Sequence, residues 1–164
     1  MYASYSPEPG CGFVCRPSGL ESNLPAPPIT CCDSSKSATT AGCLKDLAAN
    51  YSFVGAKTAC RALGMDLFAP LVYTDFTALL AETSVQSRGA FFIGYVNRSG
   101  SWAWKSTIFR TGTIQVAVAA ADWNATYPDP DMYWMCAVVV NQKIQNSLCA
   151  TGINAVCHAP VPIC

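Results

Sequence analysis

Charge is scarce in this sequence. Only 12% of its 164 residues are charged, ten basic against ten acidic, so the formal net charge is zero. A typical globular chain carries about 25%. The balance leaves no basic footprint for phosphate backbones and excludes a general electrostatic grip on nucleic acid. Long apolar runs are also missing. The run around residues 116–121 is short and alanine-rich, and no run approaches the roughly 18 residues of a membrane span, so no span is expected. Histidine occurs once, as His158, directly after Cys157 and with no acid or nucleophile near it in sequence. It reads as an ordinary edge-strand histidine and not as a catalytic base. No glycine-rich loop carries the lysine that phosphate cradles use. The opening residues Met1, Tyr2, Ala3 and Ser4 run into Pro7 and Pro9 with no apolar leader, so the chain reads as a mature or recombinant product.

Cysteine, by contrast, is abundant. There are ten, an even count, and 51% of the chain is hydrophobic, which is enough to bury a core and excludes intrinsic disorder. The spacing Cys11-x3-Cys15 and the adjacent pair Cys31-Cys32, with a single histidine, do not suit the usual zinc clusters. Five disulfides in an oxidising compartment are expected instead, and with them a secreted, extracellular protein. Pairing leaves no thiolate nucleophile, so no enzymatic activity is expected. Three Asn-x-Ser/Thr sequons, at Asn50, Asn97 and Asn124, agree with that compartment and are candidate glycosylation sites.

The chain divides by composition. Residues 1–31 form a Pro/Cys-rich irregular extension, with Pro7, Pro9, Pro17, Pro25, Pro27 and Pro28, and residues 32–164 form one domain. The polar run 33–40 reads as a solvated loop. Ser52 caps a predicted helix over 53–63, with Val54, Ala59, Cys60 and Leu63 on related faces and Gly64 as the stop. Thr74 caps a second helix over 75–83, with Phe76, Leu79 and Leu80 apolar. After Gly89 the pattern turns to strand: Phe91 to Val96, a turn at Ser99-Gly100, then Trp102-Ala103-Trp104. Residues 123–131 hold Pro128 and Pro130 and read as loop. Residues 136–140 read as a buried strand and 155–158 as a short closing one. Two helices followed by a mostly antiparallel sheet make the fold class α+β.

In this order the motifs resemble the C-type lectin-like domain over about residues 32–158. The strand Phe92-Ile93-Gly94-Tyr95 resembles the family's Trp-Ile-Gly-Leu, and Trp102-Ala103-Trp104 its Trp-x-Trp. Trp123 leads into a long irregular loop with an x-Pro-x tripeptide, Tyr127-Pro128-Asp129. Cys136, Cys149 and Cys157 stand where the family places its last three cysteines. The resemblance implies bridges Cys60–Cys157 and Cys136–Cys149. The long form of the domain adds a hairpin bridge, Cys32–Cys43, although Cys31 could replace Cys32. Cys11, Cys15, Cys31 and Cys164 remain for two more, with Cys164 reaching back to the extension. The resemblance also implies core roles for Trp102, Trp104 and Trp123 and a cis bond before Pro128.

The family's calcium-dependent sugar site is poorly matched. Calcium takes six to eight hard oxygen ligands, yet Tyr127 replaces one tripeptide ligand and only Asp129 survives. Tyr133, Trp134 and Met135 stand where an acid precedes the cysteine. Gln145 and Asn146 replace the usual asparagine and aspartate. Asp129 and Asp131 flank Pro130 as turn residues do. No calcium and no other cofactor are expected. Tyr127, Asp129, Tyr133 and Trp134 are the candidate binding residues of the long-loop face; the alternative is that the aromatic ones fill the loop's own small core.

Two functions fit. One is a secreted lectin-like recognition module that binds a protein or glycan without the usual calcium site. The other is a structural or assembly subunit of a matrix, coat or filament, self-associating through apolar surface. Residues 114–121 are either a buried strand or part of such a contact.

Overall fold

The computed structural model describes residues 36–39, 42–70, 73–82, 89–105, 116–130 and 136–160. The extension 1–31, with Cys11, Cys15 and Cys31, lies outside them, as do Cys32, Tyr133, Trp134 and Cys164. Strands β1 (Ser37–Thr39) and β2 (Gly42–Tyr51) lead to helix α1 (Phe53–Ala62), the short β3 (Asp66–Leu67) and helix α2 (Tyr73–Ala81). Strands β4 (Phe91–Arg98) and β5 (Ser101–Trp104) follow, then a 3-10 turn at Ala120–Asp122. Strands β6 (Cys136–Val140), β7 (Lys143–Ser147) and β8 (Ile153–Pro160) close the sequence of elements. All eight strands join one sheet with order β1-β2-β8-β4-β6-β7; β3 pairs with β8, and β5 with β4. Every pairing is antiparallel except β4 with β8. The fold is α+β, two helices on a mostly antiparallel sheet, as the sequence predicts.

The sheet is covered on both faces, which explains why its central strands are apolar without alternation. Successive strand residues point to opposite faces. On β4, Phe91, Ile93 and Tyr95 therefore enter one core with Phe68, Phe76, Leu79 and Trp104. Phe92 and Val96 enter the other, with Phe53, Ala56, Cys60 and Met65. Helix α2 covers the first face and α1 the second. Gly94 lies between them for a steric reason. A Cβ there would stand 2.7 Å from the Lys105 carbonyl and 3.0 Å from that of Phe68. Gly94 instead donates its N–H to the Phe68 carbonyl and accepts from the Lys105 N–H.

Ser52 caps α1 as expected, its hydroxyl accepting from the Gly55 N–H at 3.2 Å. Gly64, at φ 69°, provides the left-handed turn that follows the helix. The buried stripe differs from the expected one. It is Phe53, Ala56 and Cys60, whereas Val54 is 71% exposed and Leu63 38%. Cys60 fixes the rotation of the helix, because its sulfur must face β8.

The second helix begins at Tyr73, so Thr74 sits inside its first turn and accepts a hydrogen bond from the Thr77 hydroxyl instead of capping. Part of the polar run read as loop is a strand: Ser37, Ala38 and Thr39 pair with Leu44, Cys43 and Gly42. His158 is not at an edge. It is 1% exposed in β8, between β2 and β3, with its ring 4.7 Å from that of Phe68.

Cys60–Cys157 ties α1 to β8 across a separation of 97 residues, and Cys136–Cys149 closes the loop around the β6–β7 hairpin. Cys43 is also disulfide-bonded, to a partner outside the described residues, so the choice between Cys31 and Cys32 falls there as well.

Candidate functional site

Between Val116 and Pro130 the long loop has little regular hydrogen bonding, and its stretches are held by particular side chains. Residues 116–119 do not form a strand; Val116 and Val118 pack on the core while Ala117, Ala119, Ala120 and Ala121 are exposed. Trp104 reaches this segment with its indole Nε1, which donates to the Val116 carbonyl at 3.0 Å. The 3-10 turn that follows is capped by Asp122, a buried carboxylate that accepts from the Ala119 N–H at 2.8 Å. The same carboxylate accepts the Tyr73 hydroxyl at 3.0 and 3.1 Å, linking the loop to the first residue of α2. That hydrogen bond, then desolvation and the carboxylate's charge, raise the Tyr73 phenol above its ordinary value of 10.0. Lys143 donates to the Ala121 carbonyl from the β7 side.

Beneath the loop lies an aromatic cluster. Tyr95 stacks on Trp102 with ring centroids 5.4 Å apart and lies 4.5 Å from Trp104 and 6.2 Å from Trp123. Trp102 meets Trp123 edge-on at 5.1 Å. Such pairs add about 0.5–1.5 kcal/mol each beyond the area they bury. Trp104 is buried, and Trp102 and Trp123 are partly so. All three tryptophans therefore take the packing role expected of them. Burial raises the Tyr95 phenol.

Past Trp123 the loop follows β7. The Asn124 N–H donates to the Ile144 carbonyl at 2.8 Å and the Tyr127 N–H to Asn124 at 3.0 Å. The Tyr127–Pro128 bond is cis, as expected. Two residues later comes the contact that organises the tip. The Asn146 side chain, 7% exposed, accepts the Asp129 N–H at 3.0 Å and donates Nδ2 to the Asp129 carbonyl at 3.2 Å. One amide thus satisfies both backbone groups of a loop residue. A carboxylate in its place could accept but not donate.

The structure brings some of the candidate residues together. Tyr127 and Asp129 lie on this loop, both partly buried, with Asn146 beneath Asp129. Tyr133 and Trp134 fall outside the described residues. Sequence reasoning saw Asn146 only as a replaced ligand and did not see its bridging role. It missed Asp122 entirely, because the position three before it is Ala119 and not a capping Ser, Thr, Asp or Asn, so no capping signal marks it. Among the described residues, no group of three or more His, Cys, Asp or Glu side chains converges. No helix among them is long and apolar enough to cross a membrane.

From sequence alone, no family model and no curated protein matches this chain. Solved structures do. The carbohydrate-recognition domain of the human scavenger receptor C-type lectin superposes with a TM-score of 0.63 at 16% identity, covering 80% of this chain and 99% of that one. Human lithostathine gives 0.61 at 16% identity, covering 86% and 98%. A calcium-independent type II antifreeze protein gives 0.58 at 16% identity, covering 80% and 95%. At such identities the likeness speaks for the architecture alone. Together with the Cys60–Cys157 and Cys136–Cys149 bridges and the cis-proline loop, it identifies the chain as a C-type lectin-like domain in fold.

Proposed function

We propose that the protein is a secreted, non-enzymatic recognition module that engages a protein or glycan through its long-loop face without calcium. The observation that carries this reading is the Asn146–Asp129 contact. Calcium requires several hard oxygens, mostly carboxylate, converging on one point. Here the Asn146 oxygen is committed to a backbone N–H, and its nitrogen faces a carbonyl. Tyr127 offers a neutral phenol where a ligand side chain would be needed. These residues do not fit calcium. The amide holds the loop in shape instead, and a neighbour of the same architecture is itself described as calcium-independent. Tyr127 and Asp129, with Tyr133 and Trp134, form the proposed contact surface. Disulfides and sequons support an extracellular setting.

Screening the protein on glycan and extracellular-protein arrays, with and without chelator, tests this. Binding that survives chelator and falls in Tyr127→Ala supports the reading; binding abolished by chelator refutes it. Calorimetry gives a second check, since micromolar calcium affinity lost on Asp129→Ala would contradict it.

One observation favours a second reading, an assembling subunit. Ala117 and Ala119 to Ala121 are exposed, as are Val54 and Leu148, in a chain with only 12% charged residues. Apolar self-association of this kind persists in high salt. Analytical ultracentrifugation decides: a monomer at tens of micromolar in low and high salt removes the second reading, and salt-resistant oligomers support it.

A further inference from the structure

Asn97 continues a particular face of β4. Phe91, Ile93 and Tyr95 precede it at alternate positions and all three belong to the core under the long loop, so the Asn97 side chain emerges where that core ends. Across the hairpin, Asn97 pairs directly with Trp102, and the two-residue turn Ser99-Gly100 has positive φ at both positions, 54° and 86°. In such a hairpin the pair next to the turn, Arg98 with Ser101, is the hydrogen-bonded one. Asn97 and Trp102 are then the close, non-hydrogen-bonded pair, with Cβ atoms about 4.5–5.5 Å apart on one face. Trp102 is stacked on Tyr95 and remains partly exposed. The Asn97 Oδ1 accepts the Gly100 N–H at 3.0 Å. This fixes the amide and turns Nδ2 away from the turn.

We propose that Asn97 carries an N-linked glycan whose first N-acetylglucosamine lies on the exposed part of the Trp102 side chain. The inference rests on the extracellular setting proposed above. The covalent step takes place in the secretory pathway on a polyisoprenyl-diphosphate-linked oligosaccharide. The Asn97 Nδ2 bonds to the anomeric carbon of the first sugar and the carbon–oxygen bond to the diphosphate breaks. The diphosphate departs with the electron pair, and one amide proton passes to the transferring enzyme. In the folded chain the apolar face of the sugar ring covers indole that would otherwise meet water. The other two sequons are placed differently. Asn50 is exposed on β2, opposite Asn154. Asn124 is partly buried, and its Oδ1 accepts the N–H of Ala125.

The test uses the full chain secreted from insect or mammalian cells. Glycopeptide mass spectrometry is expected to find Asn97 modified, with the modification lost in Ser99→Ala. Trimming to a single N-acetylglucosamine retains thermal stability, and complete removal lowers Tm by about 2–4 °C. In Trp102→Leu that difference disappears. A readout that needs no variant is the N-acetyl methyl proton resonance, shifted upfield by the indole ring in the folded protein and returning on unfolding. A secreted chain glycosylated at Asn50 or Asn124 but bare at Asn97 overturns the inference and leaves the extracellular reading standing. A glycan at Asn97 with no upfield methyl and no Trp102-dependent Tm difference overturns the packing. A chain retained in the cell with no sequon modified defeats the extracellular reading itself.

Discussion

Between β2 and β8, eight residue pairs align, from Gly42 with Pro160 to Tyr51 with Ile153, with one irregularity between Leu47 and Asn50. From Val116 to Pro130 the only strand-like pairing is a single bridge, Trp123 with Ile144. The first region is held by many equivalent backbone bonds, two apolar cores and a long-range disulfide. The second is held by a few dissimilar side-chain contacts: the Trp104 indole on Val116, the Asp122 carboxylate on Ala119 and Tyr73, and the Asn146 amide on Asp129. Removing one contact from a ladder weakens it slightly and spreads the cost. Removing one of the loop's contacts frees a whole segment. The surface proposed above to do the recognising is accordingly the one whose shape depends on single residues.

The sharpest way to break the comparison is to open the bridge under the ladder. Replacing Cys60 and Cys157 together by Ala releases a closed loop of about 100 residues, worth about 4.7 kcal/mol in the chain-entropy account. Secretion should fall sharply, and thermal unfolding of any secreted material should drop in one cooperative step. A map of the native protein lacking Cys60–Cys157 would contradict the fold itself.

Gly94→Ala attacks the sheet sterically. The new methyl would press on two carbonyls at 2.7 and 3.0 Å, at a cost of about 1–3 kcal/mol. Chemical denaturation should show a lower midpoint with an unchanged slope, because β4 belongs to both cores.

Asn146→Asp probes the loop. The variant keeps an acceptor for the Asp129 N–H but sets a carboxylate against the Asp129 carbonyl. About 1–2 kcal/mol is expected, and it should appear locally. Hydrogen exchange at Asp129 and its neighbours should speed up about tenfold per 1.4 kcal/mol while β2 and β8 amides keep their protection. Equal loss of protection in both regions would show that the loop is not an independent unit.

The smallest effect is pH-dependent. Tyr73 has a folded pKa raised by Asp122 above 10.0, so its contribution is complete below pH 10 and fades as pH rises through the raised value. Ultraviolet titration of phenolate should show one tyrosine shifting back to ordinary behaviour in Asp122→Asn. No change in the titration would mean the Tyr73–Asp122 link does not persist in solution.

The two regions were also unequally legible in the sequence. Strand β6 could be read from its unbroken apolar run, α1 from Ser52 and Gly64, and the β4–β5 hairpin from Ser99-Gly100, because each signal is local. The face of α1 could not, since periodicity suits Val54 and Leu63 as well as Phe53 and Ala56, and the disulfide to β8 decides between them. The burial of His158 depends on β2 and β3 arriving on both sides of β8, and nothing beside it in sequence records that. In the loop, Tyr127, Asp129 and Asn146 could be named, yet the amide's task could not. It depends on a side chain meeting a backbone 17 residues away, and no period or spacing encodes such a contact.

The position of Cys60–Cys157 also determines how the domain carries mechanical load. Gly42 and Pro160 are register partners at one end of the β2–β8 ladder. A pull that separates them peels the ladder one pair at a time, through Cys43 with Ala159, Leu44 with His158 and Lys45 with Cys157. At Cys157 the tension passes through the sulfur bridge to Cys60. Everything between those two cysteines, including the whole long-loop face, then lies outside the path of the force. A pull on those strand ends therefore loads the sulfur bridge and leaves the long-loop face unloaded.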